Sequence, residues 1–183
     1  MILTLTEIQH LLETRGHQPY EMEAISQSDH ALQCAYLAEQ AGESTETIAA
    51  CLLHDLGHLL AADHEPQKDK PLQVDDLHQE IALPFMRGLF PDAVLEPIRL
   101  HVQAKRYLCL IEPSYPTQLS PASQQSLQRQ GGIFSEAPAE QFIAQPFAIE
   151  AVRLCRYDDL AKVKDKRVPE LSHFMPYLEL ACL

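Results

Sequence analysis

Apolar side chains recur at helical spacing along almost the whole chain. Leu3, Leu5, Ile8, Leu11 and Leu12 mark one helix near the start, and Ala31, Cys34, Ala35, Leu37 and Ala38 mark a second that stops at Gly42. A third is predicted to begin at a Ser44 cap and to run without a break through Ile48, Cys51, Leu52 and Leu56. Further helices are predicted to begin near Asp76, Asp92, Ser120 and Glu150. Ser120-Pro121 reads as a cap followed by a first-turn proline, and Gly131-Gly132 gives that helix its stop. Residues 61–75 and 112–119, rich in turn-forming and polar types, read as loops. No strand-like alternation, repeat or linker interrupts this pattern. The expectation is therefore all-α, one helical domain spanning residues 1–183.

Composition narrows the function classes. A chain of 183 residues can bury a core without a disulfide or a metal to hold it. No apolar run is long enough to span a bilayer, and Glu7 and His10 fall where a secretory signal would need its apolar stretch. A cytoplasmic protein with no membrane partner is expected. Fourteen Lys and Arg against 26 Asp and Glu leave a net charge of −12, which repels a phosphate backbone, so no nucleic-acid partner is expected. Cys34, Cys51, Cys109, Cys155 and Cys182 are odd in number and form no C-x-x-C pair, which reads as buried reduced thiols. The pattern leaves the oligomeric state open. Nine histidines are the unusual count, and their placement carries the chemistry.

In Leu52-Leu53-His54-Asp55-Leu56-Gly57-His58, two imidazoles stand four residues apart, on one face of the predicted helix. Asp55 would lie about 100° around that helix from His54, at the edge of their common site. His30, His78 and His101 each fall inside a separate predicted helix otherwise lined by apolar residues, and burying them requires partners. With Asp158 added, four histidines (His30, His54, His78, His101) and two aspartates from five helices form a nitrogen and oxygen donor set without thiolate. Such a set suits iron or manganese better than structural zinc, and helical bundles hold ion pairs in this way. Lys105, four residues after His101, falls on the same helix face; Lys105 and Arg106 read either as basic charge beside the site or as surface cations near a helix end. Ser123, in a first helical turn, is expected to offer its hydroxyl and backbone N–H to an anion. His10, His17, His64 and His173 read as surface or loop residues.

The order His30, His54-Asp55, Asp158 matches the H…HD…D pattern of the HD-domain superfamily. The resemblance is closer to its mixed-valent di-iron oxygenases, and closest to the 2-amino-1-hydroxyethylphosphonate dioxygenases. It is carried by Tyr20-x-x-Glu23-Ala24-Ile25, His30 to Tyr36, His101 to Leu108 and Leu119-Ser120-x-Ala122-Ser123. It implies an HD-type helical bundle with a di-metal site in its core, two Fe ions in the Fe(II)/Fe(III) state and O2 as co-substrate. The substrate implied is a small zwitterionic phosphonate, 1-hydroxy-2-aminoethylphosphonate or its N-trimethyl analogue, whose carbon–phosphorus bond is cleaved to phosphate and glycine or glycine betaine.

By the same resemblance, His30, His54, Asp55 and Asp158 surround one iron and Asp55, His78 and His101 the other, with Asp55 as bridge and Tyr20 as a displaceable ligand. Tyr20 and His58 take catalytic parts. His58, Gln33, Lys105 and Ser123 meet the phosphonate, and Glu23 meets the amine. The family tends to carry an arginine where this chain has Cys155, which leaves Arg156 as the expected anion contact. The rival expectation is an HD-type metal-dependent phosphohydrolase acting on a small phosphate ester or nucleotide. Tyr20, Glu23, His78 and His101 weigh against it, because a mononuclear hydrolase needs no second histidine shell.

Overall fold

The computed structural model describes residues 2–20, 22–61 and 77–183. The elements are α1 (Leu5–Arg15), α2 (Gln27–Gln40), α3 (Thr45–Leu53), α4 (Leu56–Ala61), α5 (His78–Ile81), α6 (Leu83–Met86), α7 (Asp92–Ile111), α8 (Tyr115–Gln118), α9 (Pro121–Arg129), α10 (Glu136–Ile143), α11 (Ala148–Leu160) and α12 (Leu171–Ala181). No strand forms among the described residues, only the isolated bridges Pro19–Ser26 and Arg87–Phe90. None of these helices is long and apolar enough to cross a membrane. The all-α expectation holds.

Local chemistry starts several of the helices. Thr4 and Ser26 each close a capping box, with Glu7 and Asp29 as the reciprocating acids. Ser44 and Ser120 cap α3 and α9, and Gly131 and Gly132 take positive φ just beyond α9. The third helix departs from expectation, because it ends at Leu53 and a new one begins at Leu56. Just past the break, α4 lies so close to the start of α5 that a Cβ at Gly57 would sit 2.0 Å from the His78 carbonyl oxygen. The predicted start at Asp76 lies outside the described residues, as do His64 and nearly all of the 61–75 loop. Within 112–119, predicted as loop, residues Tyr115–Gln118 form the short α8; α10 and α12 had no predicted start.

Helices α7 and α11 make the most extensive pairing in the molecule and run through both apolar clusters of the core. One cluster gathers α1–α3 and α12 around Ile98 and Leu154, and the other gathers α9 and α10 around Leu100, Ala104 and Cys155. His101 and Asp158 lie on α7 and α11, the two helices common to both clusters. The cysteines are unpaired, and all but Cys182 are buried.

Candidate active site

Six buried donors converge from five elements: His30 on α2, His54 and Asp55 between α3 and α4, His78 opening α5, His101 on α7 and Asp158 on α11. The His30 and His54 Nε2 atoms are 3.2 Å apart, and those of His78 and His101 3.1 Å apart. Backbone carbonyls set three of the rings. The Nδ1 of His30 lies 2.9 Å from the Ala161 oxygen, that of His54 2.9 Å from the Cys51 oxygen, and that of His101 2.6 Å from the Ile98 oxygen. A carbonyl can only accept, so Nδ1 carries the proton and each Nε2 presents a lone pair inward. Two lone pairs facing each other at about 3.2 Å require a cation between them or nearby.

The helix break corrects the expected place of Asp55. It does not point to the edge of the site but to its centre: Oδ2 lies 3.5 Å from His30 Nε2 and 3.4 Å from His54 Nε2, and Oδ1 lies 3.5 Å from His78 Nε2 and 4.0 Å from His58 Nε2. His30, His54 and Asp55 form one group of donors close enough to share an ion, and Asp55, His58 and His78 form another. Asp55 belongs to both. Two carboxylate oxygens, Asp55 Oδ2 and Asp158 Oδ1, are buried with no hydrogen bond, although His30 Nε2 stands 3.3 Å from the latter. Buried anions without hydrogen bonds beside inward lone pairs fit a pair of metal ions, and imidazole and carboxylate donors suit iron or manganese alike.

Charge balance in the site follows from burial and neighbours. Burial drives the His101 pKa down to about 3 and lowers that of His54, so both rings are neutral and able to ligate. Burial alone would raise the Asp55 pKa, but His54, His58, His78 and His30 outweigh it and hold the carboxyl well below its usual range. Asp158 is also held low against burial, by Lys162, Lys105 and His30. Lys105 stays charged despite burial because Asp158 and Asp159 face it.

A cavity opens beside the donors, lined by Tyr20, Glu23, Asp55, His58, His78, His101, Lys105, Ser123, Ser126, Asp158 and Lys162. The Tyr20 ring stacks on His30 at 4.0 Å, and His58 stacks on His78 at 4.3 Å. Glu23 accepts a 2.5 Å hydrogen bond from Ser120. Lys105 Nζ lies 3.6 Å from Asp158 Oδ2, which answers the two readings of that lysine in favour of the interior. Arg106 points elsewhere, over Phe134 and onto the carbonyls of Gly131 and Gly132.

Three expectations meet a different geometry. Gln33 does not line the cavity, since its amide both donates to the Val163 carbonyl and accepts from the Val163 N–H. Arg156 is paired with Glu112 over the Tyr115 ring and lines a separate groove with Asp159 and Leu160. The Ser123 backbone N–H is taken by Ser120 Oγ, so only its hydroxyl faces the cavity. The sequence reading missed Ser126 and Lys162. Lys162 had a signal available, since it stands four residues after Asp158 as Lys105 stands four after His101. His10, His17 and His173 are exposed as expected.

Comparison with known proteins places the chain in a family. Residues 28–125 match the HD domain family. The chain is 41% identical over 179 residues to a hydroxymethylphosphonate dioxygenase of Gimesia maris, covering 98% of this chain and 88% of the relative. It is 32% identical over 169 residues to a glycine-betaine-forming [1-hydroxy-2-(trimethylamino)ethyl]phosphonate dioxygenase of Leisingera caerulea, covering 92% and 85%. With a matching domain, near-complete coverage by these relatives and a core built from the expected histidines and aspartates, the chain belongs to the HD-domain family of phosphonate dioxygenases.

Proposed function

We propose that the protein cleaves the carbon–phosphorus bond of a small 1-hydroxyphosphonate with O2, and that 1-hydroxy-2-aminoethylphosphonate, giving glycine and phosphate, is the substrate its cavity suits best. The observation that carries this reading is the place of Asp55 between the His30–His54 pair and the His78–His101 pair, directly beside a cavity with buried Lys105. In this reading His30, His54, Asp55 and Asp158 hold one iron and Asp55, His78 and His101 the other, with Tyr20 close to the first. A mixed-valent iron pair would supply substrate chelation and one-electron activation of O2.

The chain's own residues do the rest. Lys105 and the Ser123 hydroxyl bind the phosphonate, and His58, only 18% exposed, holds or moves the proton of the C1 hydroxyl at its Nε2. Tyr20, 8% exposed and stacked on His30, closes the cavity against bulk water. Glu23, fixed by Ser120, repels a phosphonate and so serves the ammonium end of the zwitterion. The reaction balances as substrate plus O2 to glycine plus phosphate.

A second reading keeps the chemistry and removes the amine. The relative with 41% identity is named for hydroxymethylphosphonate, which has nothing for Glu23 to meet. The test is O2 uptake and phosphate release by iron-loaded protein with hydroxymethylphosphonate, the primary-amine substrate and the trimethylammonium analogue. Equal uptake and release, with a preference for the amine that Glu23→Gln weakens about tenfold, is the expected result. Preference for hydroxymethylphosphonate, unchanged in Glu23→Gln, selects the second reading. Phosphate release from esters without O2 uptake would return the hydrolase.

A further inference from the structure

The cavity contains a second buried cation that neither the motif pattern nor the ligand set accounts for. Lys162 lies just beyond α11, and its side chain is 9% exposed. Its Nζ donates to Ser123 Oγ at 2.8 Å and to Asp159 Oδ1 at 3.3 Å, and it stands 3.3 Å from Asp158 Oδ1. The ammonium is thus shared between the two carboxylates, each at 3.3 Å, and the serine hydroxyl, its shortest contact. Asp159 is itself fixed by Tyr115, whose hydroxyl donates to Oδ2 at 2.5 Å. The backbone around Lys162 is held just as firmly. The Ala161 carbonyl receives His30 Nδ1–H, and Val163 exchanges two hydrogen bonds with the Gln33 amide.

A lysine whose work was only to neutralise Asp158 would need no hydroxyl partner and no place on the cavity wall. Lys105 already faces the other oxygen of Asp158 at 3.6 Å, and both lysines and Ser123 line the same cavity. Once Asp55 and Asp158 serve as metal ligands, the positive charge of the two ammonium groups is available to an incoming anion. A phosphonate or phosphate dianion offers three acceptor oxygens, enough for two ammonium groups and one hydroxyl.

We infer that Lys162 is a substrate-binding residue, the second ammonium of a Lys105–Ser123–Lys162 grip on the phosphonate or phosphate dianion, held in place by the Gln33 amide and Asp159. Gln33 then acts on the anion through Val163, as a positioning residue. The inference rests on the proposed reading of the cavity as a phosphonate site, but it can be tested without turnover.

The experiment measures binding of inorganic phosphate and methylphosphonate to iron-loaded wild type, Lys162→Met and Lys162→Arg by calorimetry, with iron content determined on each sample. Lys162→Met is expected to raise the dissociation constant of both anions about ten- to a hundredfold at unchanged iron content, with Lys162→Arg within about threefold of wild type. Unchanged affinity per iron-loaded site in Lys162→Met, or iron loss as its sole effect, overturns the inference and leaves Lys162 as a neutraliser of Asp158. A wild-type measurement stands beside it: phosphate is expected to slow acetylation of Lys162, read by peptide mass spectrometry, and equal acetylation with and without phosphate overturns the inference even if a variant fails to fold. Phosphate binding that depends on Lys162, with no O2 uptake on any phosphonate, would refute the oxygenase reading while leaving this anion grip intact.

Discussion

The two sides of the cavity are held by different means. On the metal-facing side, three of the imidazoles are fixed by carbonyls of the polypeptide itself, and Asp55 is fixed by a helix break. On the anion-facing side, Glu23, Ser120, Ser123, Lys162, Asp159 and Tyr115 hold one another mainly through side chains, with the Ser123 N–H on Ser120 Oγ as the one backbone link among these bonds. Backbone anchoring gives rigidity that a single surface change does not disturb, as ligand geometry requires. Side-chain anchoring leaves adjustable groups where substrates differ. The difference teaches that one scaffold can keep its metal chemistry while its anion side is changed for another phosphonate.

The strongest way to break this contrast is Asp55→Ala. Because Asp55 belongs to both donor groups, the variant is expected to fall from about two irons per chain to about none, with activity lost. Retention of one intact iron, measured by metal analysis, would mean that the carboxylate serves a single ion. Gly57→Ala should come next. Its added methyl meets the His78 carbonyl, so the expected cost is about 1–3 kcal/mol of stability together with weaker binding of the ion near His78 and His101. Thermal melts and metal content measured together would show whether backbone approach, rather than side-chain chemistry, sets that side.

Acid should expose the same contrast in metal-free protein. In the folded state His101 has a pKa of about 3 and that of His54 is lowered, both chiefly by burial, whereas in the unfolded chain they titrate near 6.5. Below about 6.5 the unfolded chain binds more protons, so stability falls as pH falls from there toward about 3. The stabilisation from Asp55 and Asp158, held below their usual range, begins to be lost only below about 3.8. Urea midpoints of metal-free protein should therefore already drop between about pH 7 and pH 5. A flat profile over that interval would show that the imidazoles are in contact with water. The smallest effect is expected for Arg156→Ala, whose pair with Glu112 is part-exposed and whose loss should cost no more than about 1 kcal/mol and leave substrate KM nearly unchanged. A large rise in KM would place that arginine back at the anion.

Much of the metal side was legible because its signals are local. Serine caps, helical spacing and histidines in apolar surroundings announce themselves within a few residues, and the H…HD…D order adds a family pattern. The anion side was legible only in part. Lys105 was found because it shares a helix face with His101; Lys162 stands at the same four-residue spacing from Asp158 but just past the end of α11, where that spacing was not followed. Gln33 and Arg156 were expected at the phosphonate, yet nothing near them in sequence reveals that Val163, 130 residues away, and Glu112, 44 away, engage them.

Local signals along the chain account for the all-helical architecture, the Ser44 and Ser120 caps, the reduced cysteines and the set of histidines and aspartates that meet in the core. The arrangement of that set came from packing: that α3 and α4 part at His54-Asp55, that Asp55 faces the centre, and that Lys162 rather than Arg156 reaches the cavity. The reason is range. Periodicity and capping are governed by contacts three or four residues apart, whereas the close approach of Gly57 to His78 and the exchange between Gln33 and Val163 exist only after distant segments have packed.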